Sequence, residues 1–229
     1  MKYLIIDVEC YMGRVMVGIL NDDTGKVTVL DGVKDIKQAL TPCYKSKDIK
    51  WISFNGMRYD HKMLENILYG KENPYEFSQK LIHSDDTAPS WERNIVDLMV
   101  MIPSVQRCSL KELGHRLNYK TLANLPYAYD EMLSEDEWQD IIDYNLHDLK
   151  ITQLLWKDLR GEYDARLALG SSFDFHAFYS GTPRLAERAM LSKISGKISD
   201  NDVIVKPDLP LSKESKERFD KIYKSLEIT

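Results

Sequence analysis

The chain has 229 residues, 43% of them hydrophobic and 29% charged, which indicates one sizeable globular domain, alone or with a small appendage. The three cysteines, Cys10, Cys43 and Cys108, lie far apart without Cys-x-x-Cys spacing, which argues against a zinc site or a disulfide framework and fits a reducing cytosol. The formal net charge of −5 disfavours nucleic-acid binding through positive charge alone, but not through carboxylates that hold divalent cations.

The N-terminal sequence lacks the pattern of a signal peptide, because its apolar run becomes charged at Asp7. No apolar run in the sequence reaches the length that a membrane-spanning helix needs. We therefore expect a cytoplasmic protein that has no membrane partner.

The first third of the chain is rich in strand patterns, and helical patterns follow. The polar segment Asn21–Lys26 predicts a hairpin turn between the second and third strands. The predicted strands are Tyr3–Val8, Arg14–Leu20, Val27–Leu30 and Trp51–Phe54, and the predicted helices are Val33–Leu40 and Asp60–Leu68.

Helical patterns dominate the rest of the chain. Between Gly70 and Asn94 the pattern lapses, which predicts a surface excursion. Two capping boxes, Ser109/Glu112 and Ser134/Glu137, predict helix starts, the second for a long helix that reaches Leu159. A last helix is predicted over Thr182–Lys193, and the pattern is weak from Ser195 onward. Strands followed by mostly helices predict an α/β fold, a sheet covered by helices.

A pair of carboxylates, Asp7 and Glu9, stands at the end of the first predicted strand. Residues two apart on a strand project from the same face, so both can reach one metal ion. A solvated strand end would show the same pattern.

A second carboxylate position follows the fourth predicted strand, in the segment Asn55-Gly56-Met57-Arg58-Tyr59-Asp60. Asp60 begins the next helix, where a carboxylate can simply cap the helix or complement its dipole. The same placement also points it out of a loop at the sheet edge, where α/β proteins build their sites.

A third motif, Tyr144-Asn145-Leu146-His147-Asp148, lies within the long helix. The spacing of four places the phenol of Tyr144 and the carboxylate of Asp148 on one helix face. Because Tyr-x-x-x-Asp occurs three times in the chain, the spacing alone also fits a surface aspartate beside a half-buried tyrosine.

In this order and context, the three motifs resemble those of the DnaQ-like 3′→5′ exonucleases, in the Asp-Glu-Asp-Asp subgroup with tyrosine. The likeness covers about Met1 to Leu159 and is strongest to the proofreading domains of phage DNA polymerases. The segments Ile95–Leu98 and Ser109–Gly114 also look like family segments. The resemblance implies a ribonuclease H-like fold, with a central mixed sheet flanked by helices.

The resemblance also implies roles in a site with two divalent metal ions, Mg²⁺ or Mn²⁺. Asp7 would bridge both ions, Glu9 and Asp148 would complete the ion site with the attacking water, and Asp60 would hold the other ion. Tyr144 would orient the water. Hard cations require oxygen ligands, which these carboxylates supply.

The implied activity is hydrolysis of phosphodiesters at single-stranded DNA 3′ ends to 5′-mononucleotides. Alternatives are a 3′→5′ exoribonuclease of the same fold and a catalytically silent module that binds nucleic acid or a polymerase. The candidate substrate contacts, for stacking on a base or binding phosphates, are Asn55, Met57, Tyr59, Arg58, Lys62 and Lys111.

The domain organisation that we expect is an exonuclease domain over 1–159, a continuous helical extension over 160–194 and a weakly patterned tail over 195–229. We expect a monomer by itself that acts with a DNA polymerase subunit or domain. A phage-encoded protein would work in the host cytoplasm.

Overall fold

The structure is a computed structural model that describes residues 1–83, 94–102, 108–120, 124–173 and 182–195. Five strands and eight helices are found in these ranges. The strands are β1 (Lys2–Tyr11), β2 (Arg14–Asn21), β3 (Val27–Asp31), β4 (Ile49–Ser53) and β5 (Ile95–Asp97). The helices are α1 (Val33–Leu40), α2 (Asp60–Tyr69), α3 (Pro74–His83), α4 (Leu98–Met101), α5 (Leu110–Arg116), α6 (Glu135–Asp158), α7 (Arg160–Phe173) and α8 (Thr182–Ser195).

The strands form one mixed sheet in the order β3-β2-β1-β4-β5. The chain forms the first three strands as an antiparallel meander, and β4 and β5 then add in parallel on the other side of β1. The α/β fold with a mixed central sheet flanked by helices, predicted from the sequence, is thus confirmed.

Opposite faces of β1 pack into different hydrophobic clusters. Ile6 and Val8 belong to a cluster that contains Met63 and Leu64 of α2. Ile5, on the other face, belongs to a cluster with residues of α6. Side chains alternate between faces along a strand, so Asp7 and Glu9 share the face of Ile5 and project toward α6.

Local sequence signals account for several element boundaries. In the hairpin turn, the Asn21 side chain accepts hydrogen bonds from the backbone N–H groups of Asp23 and Thr24, and Gly25 adopts a φ of 69°. Both predicted capping boxes are present, at Ser109 and at Ser134. Each occupies the N-terminal N–H groups that lack partners within the helix.

The structure corrects three sequence-based expectations. The predicted surface excursion contains a regular helix, α3, whose Phe77 and Leu81 pack against the core cluster of α2. The first strand continues to Tyr11, so Asp7 and Glu9 lie within it and not at its end. The fourth strand is β4, Ile49–Ser53, two residues earlier than expected at its start. In each case tertiary pairing or packing extends regular structure beyond the local pattern.

The chain divides into two compact units, Met1–Met190 and Leu191–Thr229. The whole sheet and the helices from α1 to α7 belong to the first unit. Most of the predicted C-terminal tail, 196–229, lies outside the described residues. Within the described residues, no helix is long and apolar enough to cross a membrane.

Candidate active site

The carboxylates of β1 lie where the strand has passed the end of its neighbour β4. The pairing with β4 covers Lys2 to Ile5, whereas the pairing with β2 continues to Tyr11. Beyond Ile5, one side of β1 therefore pairs with none of the described strands, and Asp7 and Glu9 lie in this stretch. Glu9 is only 7% exposed.

Asp60 fills the space that β4 leaves beside β1. Its Oδ1 accepts a hydrogen bond of 2.9 Å from the backbone N–H of Val8, the residue between the two β1 carboxylates. The N-cap position of α2 is Tyr59, and Asp60 is the first residue of the helix. Asp60 thus satisfies an N–H group of the neighbouring strand, and it is not the N-cap residue of its own helix.

Helix α6 brings Tyr144 and Asp148 to the same place. The Tyr144 phenol and the Asp148 carboxylate lie one helical turn apart on the same helix face, and their interaction raises the pKa of the phenol and opposes the effect of burial on the pKa of Asp148. Lys111 of α5 lies beside this pair, with its Nζ 5.5 Å from the centroid of the Tyr144 ring. His147 points away from the cleft and pairs through its Nδ1 with the hydroxyl of Tyr119 at 3.0 Å.

A close approach between α6 and β2 holds the helix against the sheet. Asn145, fully buried, donates from Nδ2 to Oδ2 of Asp7 at 2.7 Å and lies over Gly18, the β2 partner of Asp7. A Cβ at Gly18 would lie 1.8 Å from Oδ1 of Asn145 and 2.8 Å from Cδ1 of Leu149. The glycine therefore permits the contact through which α6 orients Asp7.

These elements enclose one cleft with a volume of about 510 Å³. The five residues predicted to be catalytic come from β1, the start of α2 and the middle of α6, and all five line it. The complete lining is Asp7, Val8, Glu9, Phe54, Asn55, Arg58, Tyr59, Asp60, Leu81, Ile82, Tyr129, Tyr144 and Asp148.

Burial and mutual repulsion raise the pKa values of the carboxylates in the cleft, so that it costs free energy to ionise all of them at once. Burial raises the pKa of Asp7 well above its usual value, and the charges of Glu9, Asp60 and Asp148 raise it further. The pKa of Glu9 is raised by burial and by Asp148 and Asp60. Burial also raises the pKa of Asp60, to about 7, against the opposing hydrogen bond from Val8. A cation placed among these groups would lower each of these pKa values.

The aspartate and glutamate side chains that line the cleft present oxygen atoms as possible ligands, and oxygen ligands suit a hard divalent cation. Nevertheless, in the described part of the chain, no group of three or more carboxylate, imidazole or thiol side chains is arranged to hold a metal ion. The backbones of β1, α2 and α6 place Asp7, Asp60 and Asp148 around one cleft. A cation held by all three carboxylates would therefore require their side chains to rotate toward a common point.

The predicted substrate contacts fall into two groups. Asn55, Arg58 and Tyr59 line the cleft. Met57 is 3% exposed and, like Lys62 and Lys111, does not belong to the lining.

Three residues with contacts to the site were missing from the sequence-based selection. Tyr129, 38% exposed, lines the cleft from the loop before α6, with its ring 5.3 Å from that of Tyr11 between centroids. Asn145 orients Asp7, and Asp97 accepts hydrogen bonds from the loop before Asp60. Asn145 and Asp97 lie inside segments that the motif comparison had quoted, so their positions were visible in the sequence, whereas no local signal marked Tyr129.

The model of the RNase H superfamily matches residues 5–160, more than half of the chain. This range contains β1 from Ile5 onward, the whole of β2 to β5 and all five residues predicted to be catalytic. No curated protein matches the chain significantly. On the extent of the family match, supported by the mixed sheet and the placement of its helices, the chain belongs to the RNase H superfamily.

Proposed function

We propose that this chain is a metal-dependent 3′→5′ exodeoxyribonuclease that removes nucleotides from single-stranded DNA 3′ ends, in proofreading with a phage-type DNA polymerase. Membership of the RNase H superfamily supports a nuclease activity in general. One observation carries the finer proposal. Four carboxylates and a tyrosine, separated by up to 141 positions in the sequence (Asp7 to Asp148), line a single cleft.

The proposed metal ligands are Asp7, Glu9, Asp60 and Asp148. Nucleases of this superfamily typically use divalent metal ions, and Mg²⁺ or Mn²⁺ match the oxygen donors of the cleft. Held by these carboxylates, divalent ions would supply charge stabilisation for the phosphate and a hydroxide near neutral pH. Asp7 is proposed, from the family resemblance, as a ligand that both ions would share, and the charges of Glu9, Asp60 and Asp148 all act on its carboxylate.

Tyr144 is proposed to orient the attacking water and to remain protonated. Burial, followed by the charges of Asp148 and Glu9, raises the pKa of its phenol above the usual value of 10.0. A phenol with a raised pKa is a poor base at neutral pH but a good hydrogen-bond donor. The interaction of the phenol with Asp148 places Tyr144 next to the proposed ion site.

The 3′ end of the single-stranded DNA is proposed to enter the cleft beside the loop between β4 and α2. Asn55 and Arg58 offer polar and positively charged contacts, and the Tyr59 ring offers an apolar one. Contacts of this kind, with backbone and base faces, give little sequence preference. They also suit an unpaired end better than a duplex.

A nuclease assay with three substrates tests the proposal. 3′-labelled single-stranded DNA, RNA of the same sequence and a duplex with blocked ends are each incubated with Mg²⁺, Mn²⁺ or EDTA. We expect release of 5′-mononucleotides from the DNA, loss of activity with EDTA and a decrease of about 100-fold or more in Asp7→Asn, because several kcal/mol of charge stabilisation are lost.

The substrate comparison separates the alternatives. Preference for the RNA would identify an exoribonuclease of the same fold. Tight DNA binding without hydrolysis in either metal would indicate a silent binding module. Full activity in Asp7→Asn would contradict the assignment of the site.

A further inference from the structure

The carboxylate of Asp97, at the end of β5, holds the loop that precedes Asp60. Its Oδ1 accepts hydrogen bonds from the backbone N–H groups of Asn55 at 2.8 Å and Met99 at 3.0 Å. Its Oδ2 accepts one from the N–H of Met57 at 3.1 Å. Asp97 is 4% exposed, so these bonds lie in a nearly water-free environment in which charge-assisted hydrogen bonds are strong.

The loop needs such support because its backbone is unusual. Asn55 has a φ of 59°, in the left-handed region that non-glycine residues rarely occupy. Gly56 passes so close to β4 that a Cβ would lie 2.2 Å from Oγ of Ser53 and 2.8 Å from Oδ2 of Asp60. Asp97 binds the N–H groups on both sides of Gly56, and thereby fixes the loop at its tightest point.

The position of this loop determines that of Asp60. The N–H of His61 bonds to the carbonyl of Gly56 at 2.9 Å, which ties the start of α2 to the loop. The Asp60 carboxylate then reaches the N–H of Val8 on β1. A continuous path of hydrogen bonds and tight packing thus leads from β5 through the loop to the cleft.

We propose that Asp97 is a positioning residue for the active site, which holds the loop between β4 and α2 so that Asp60 stands at its place in the cleft. The inference rests on the proposed function, and it assigns a role to a carboxylate that does not line the cleft. Asp97 acts through the backbone N–H groups of Asn55, Met57 and Met99.

The Asp97→Asn substitution is the sharpest test, because it keeps the size of the side chain. Whichever way the amide is oriented, at least one of the three backbone N–H groups then faces an NH₂ group and not an acceptor. Asp22→Asn is the matched control. Asp22 accepts hydrogen bonds from Gln153 at 3.1 Å and Trp156 at 2.9 Å, and it joins β2 to α6 outside the cleft.

Two measurements on the whole protein distinguish positioning from general stabilisation. The first is kcat and KM for labelled single-stranded DNA, and the second is the Mn²⁺ concentration that gives half of the maximal thermal stabilisation. For Asp97→Asn we expect kcat to fall and the Mn²⁺ midpoint to rise, each by about 10- to 100-fold, as when the groups that support metal ligands are lost. Asp22→Asn should lower the Tm and leave both quantities unchanged.

The other outcomes are equally decisive. Wild-type kcat and Mn²⁺ midpoint in Asp97→Asn would overturn the inference. If that variant does not fold, Asp97→Glu, which keeps the charge but displaces the oxygens, decides by the same two measurements. A wild-type protein that is stabilised by Mn²⁺ but cleaves no substrate would refute the proposed function, while the midpoints would still test Asp97. A wild type with neither property would overturn both.

Discussion

The Asp60 side chain accepts a hydrogen bond of 2.9 Å from the backbone N–H of Val8, across 52 positions of the sequence. The bond falls where β1 has lost its partner β4, so Asp60 satisfies a strand N–H that the sheet leaves open. It also sets the carboxylate beside Asp7 and Glu9. This one hydrogen bond thus gives the Val8 N–H an acceptor and brings Asp60 next to Asp7 and Glu9.

Replacing Asp60 separates these two roles. In Asp60→Asn the amide oxygen can still accept from Val8, so below pH 3.8, where Asp60 is protonated in the folded and the unfolded chain, the free energy of unfolding should stay near that of the wild type. At neutral pH the nuclease activity of this variant should fall by about 100-fold or more. In Asp60→Ala the buried N–H of Val8 loses its acceptor, which should lower the free energy of unfolding by about 1–3 kcal/mol more. Denaturant unfolding and single-stranded DNA hydrolysis measure the two effects. Equal stability of both variants would contradict the structural role of the bond.

The stability of the metal-free protein should depend on pH through the buried carboxylates. Burial raises the pKa of Asp60 from 3.8 to about 7, so the folded protein holds a proton that the unfolded chain releases. This contribution to stability is complete below pH 3.8 and is lost as the pH rises toward about 7. A bound divalent cation replaces the proton, so the stabilisation by Mn²⁺ over EDTA should grow across the same range.

Thermal unfolding with Mn²⁺ or EDTA at several pH values measures this difference. Asp60→Asn serves as the control, because it cannot ionise, and its Mn²⁺ effect should depend less on pH. A pH-independent Mn²⁺ effect in the wild type would speak against a cation site among these carboxylates.

Gly18→Ala should disturb the active site through β2, because Gly18 contacts Asn145, the residue of α6 that bonds to Asp7. The new Cβ would lie 1.8 Å from Oδ1 of Asn145, so α6 must shift and its bond to Asp7 must weaken. Overpacking of this kind costs about 1–3 kcal/mol in stability. We expect a loss of activity in addition, because Asp7 is then oriented less well.

Gly161→Ala is the matched control for this substitution. Gly161 lies in α7, where a Cβ would meet nothing within 4 Å, so alanine should stabilise the helix by about 0.5–1 kcal/mol. Chemical denaturation and the nuclease assay compare the two variants. Unchanged activity in Gly18→Ala would show that the contact of α6 with β2 does not orient Asp7.

Tyr144→Phe should lower kcat by about 100-fold while KM for DNA changes little, since misplacement of a reacting group by about 1 Å has an effect of this size. The substitution removes the hydroxyl beside Asp148 and keeps the ring near Lys111. Tyr119→Phe is the control, because it removes a hydrogen bond to His147 of the same helix outside the cleft. Steady-state kinetics distinguish the two, and an equal effect on kcat would argue against a positioning role for Tyr144.

Tyr129→Ala should raise KM for single-stranded DNA more than it lowers kcat. Its ring lines the cleft and is backed by the ring of Tyr11, so it offers a base a rigid surface to stack on. Loss of one stacked base costs about 1–3 kcal/mol. The same substitution at Tyr69, which is 48% exposed outside the cleft, should leave KM unchanged. An unaltered KM in Tyr129→Ala would exclude the stacking contact.

Local interactions explain which elements the sequence predicts well. The hairpin after β2 and the capping boxes of α5 and α6 depend on contacts within three to five residues, so their residue types identify them directly. The order of the predicted elements, strands followed by mostly helices, predicted the α/β fold. The motifs also identified, by resemblance, the five residues predicted to be catalytic, and all five line the cleft.

The tertiary structure alone decided the surroundings of these five residues. Helix α3 forms in a segment of weak pattern because Phe77 and Leu81 pack against the core. The sequence left open whether Asp60 caps its helix or belongs to the site, and only the folded chain shows that its carboxylate accepts from the N–H of Val8 on β1. Tyr129 enters the cleft through a loop that has no motif.

Spacing along the chain thus determined which residues share a strand or a helix face, because those geometries repeat every 2 or about 3.6 residues. It did not determine which faces meet. Gly18 against Asn145 and Asp97 against Asn55 are contacts between distant segments, set by the way the whole sheet and its helices fill space. Only the folded chain brings such groups within hydrogen-bonding distance.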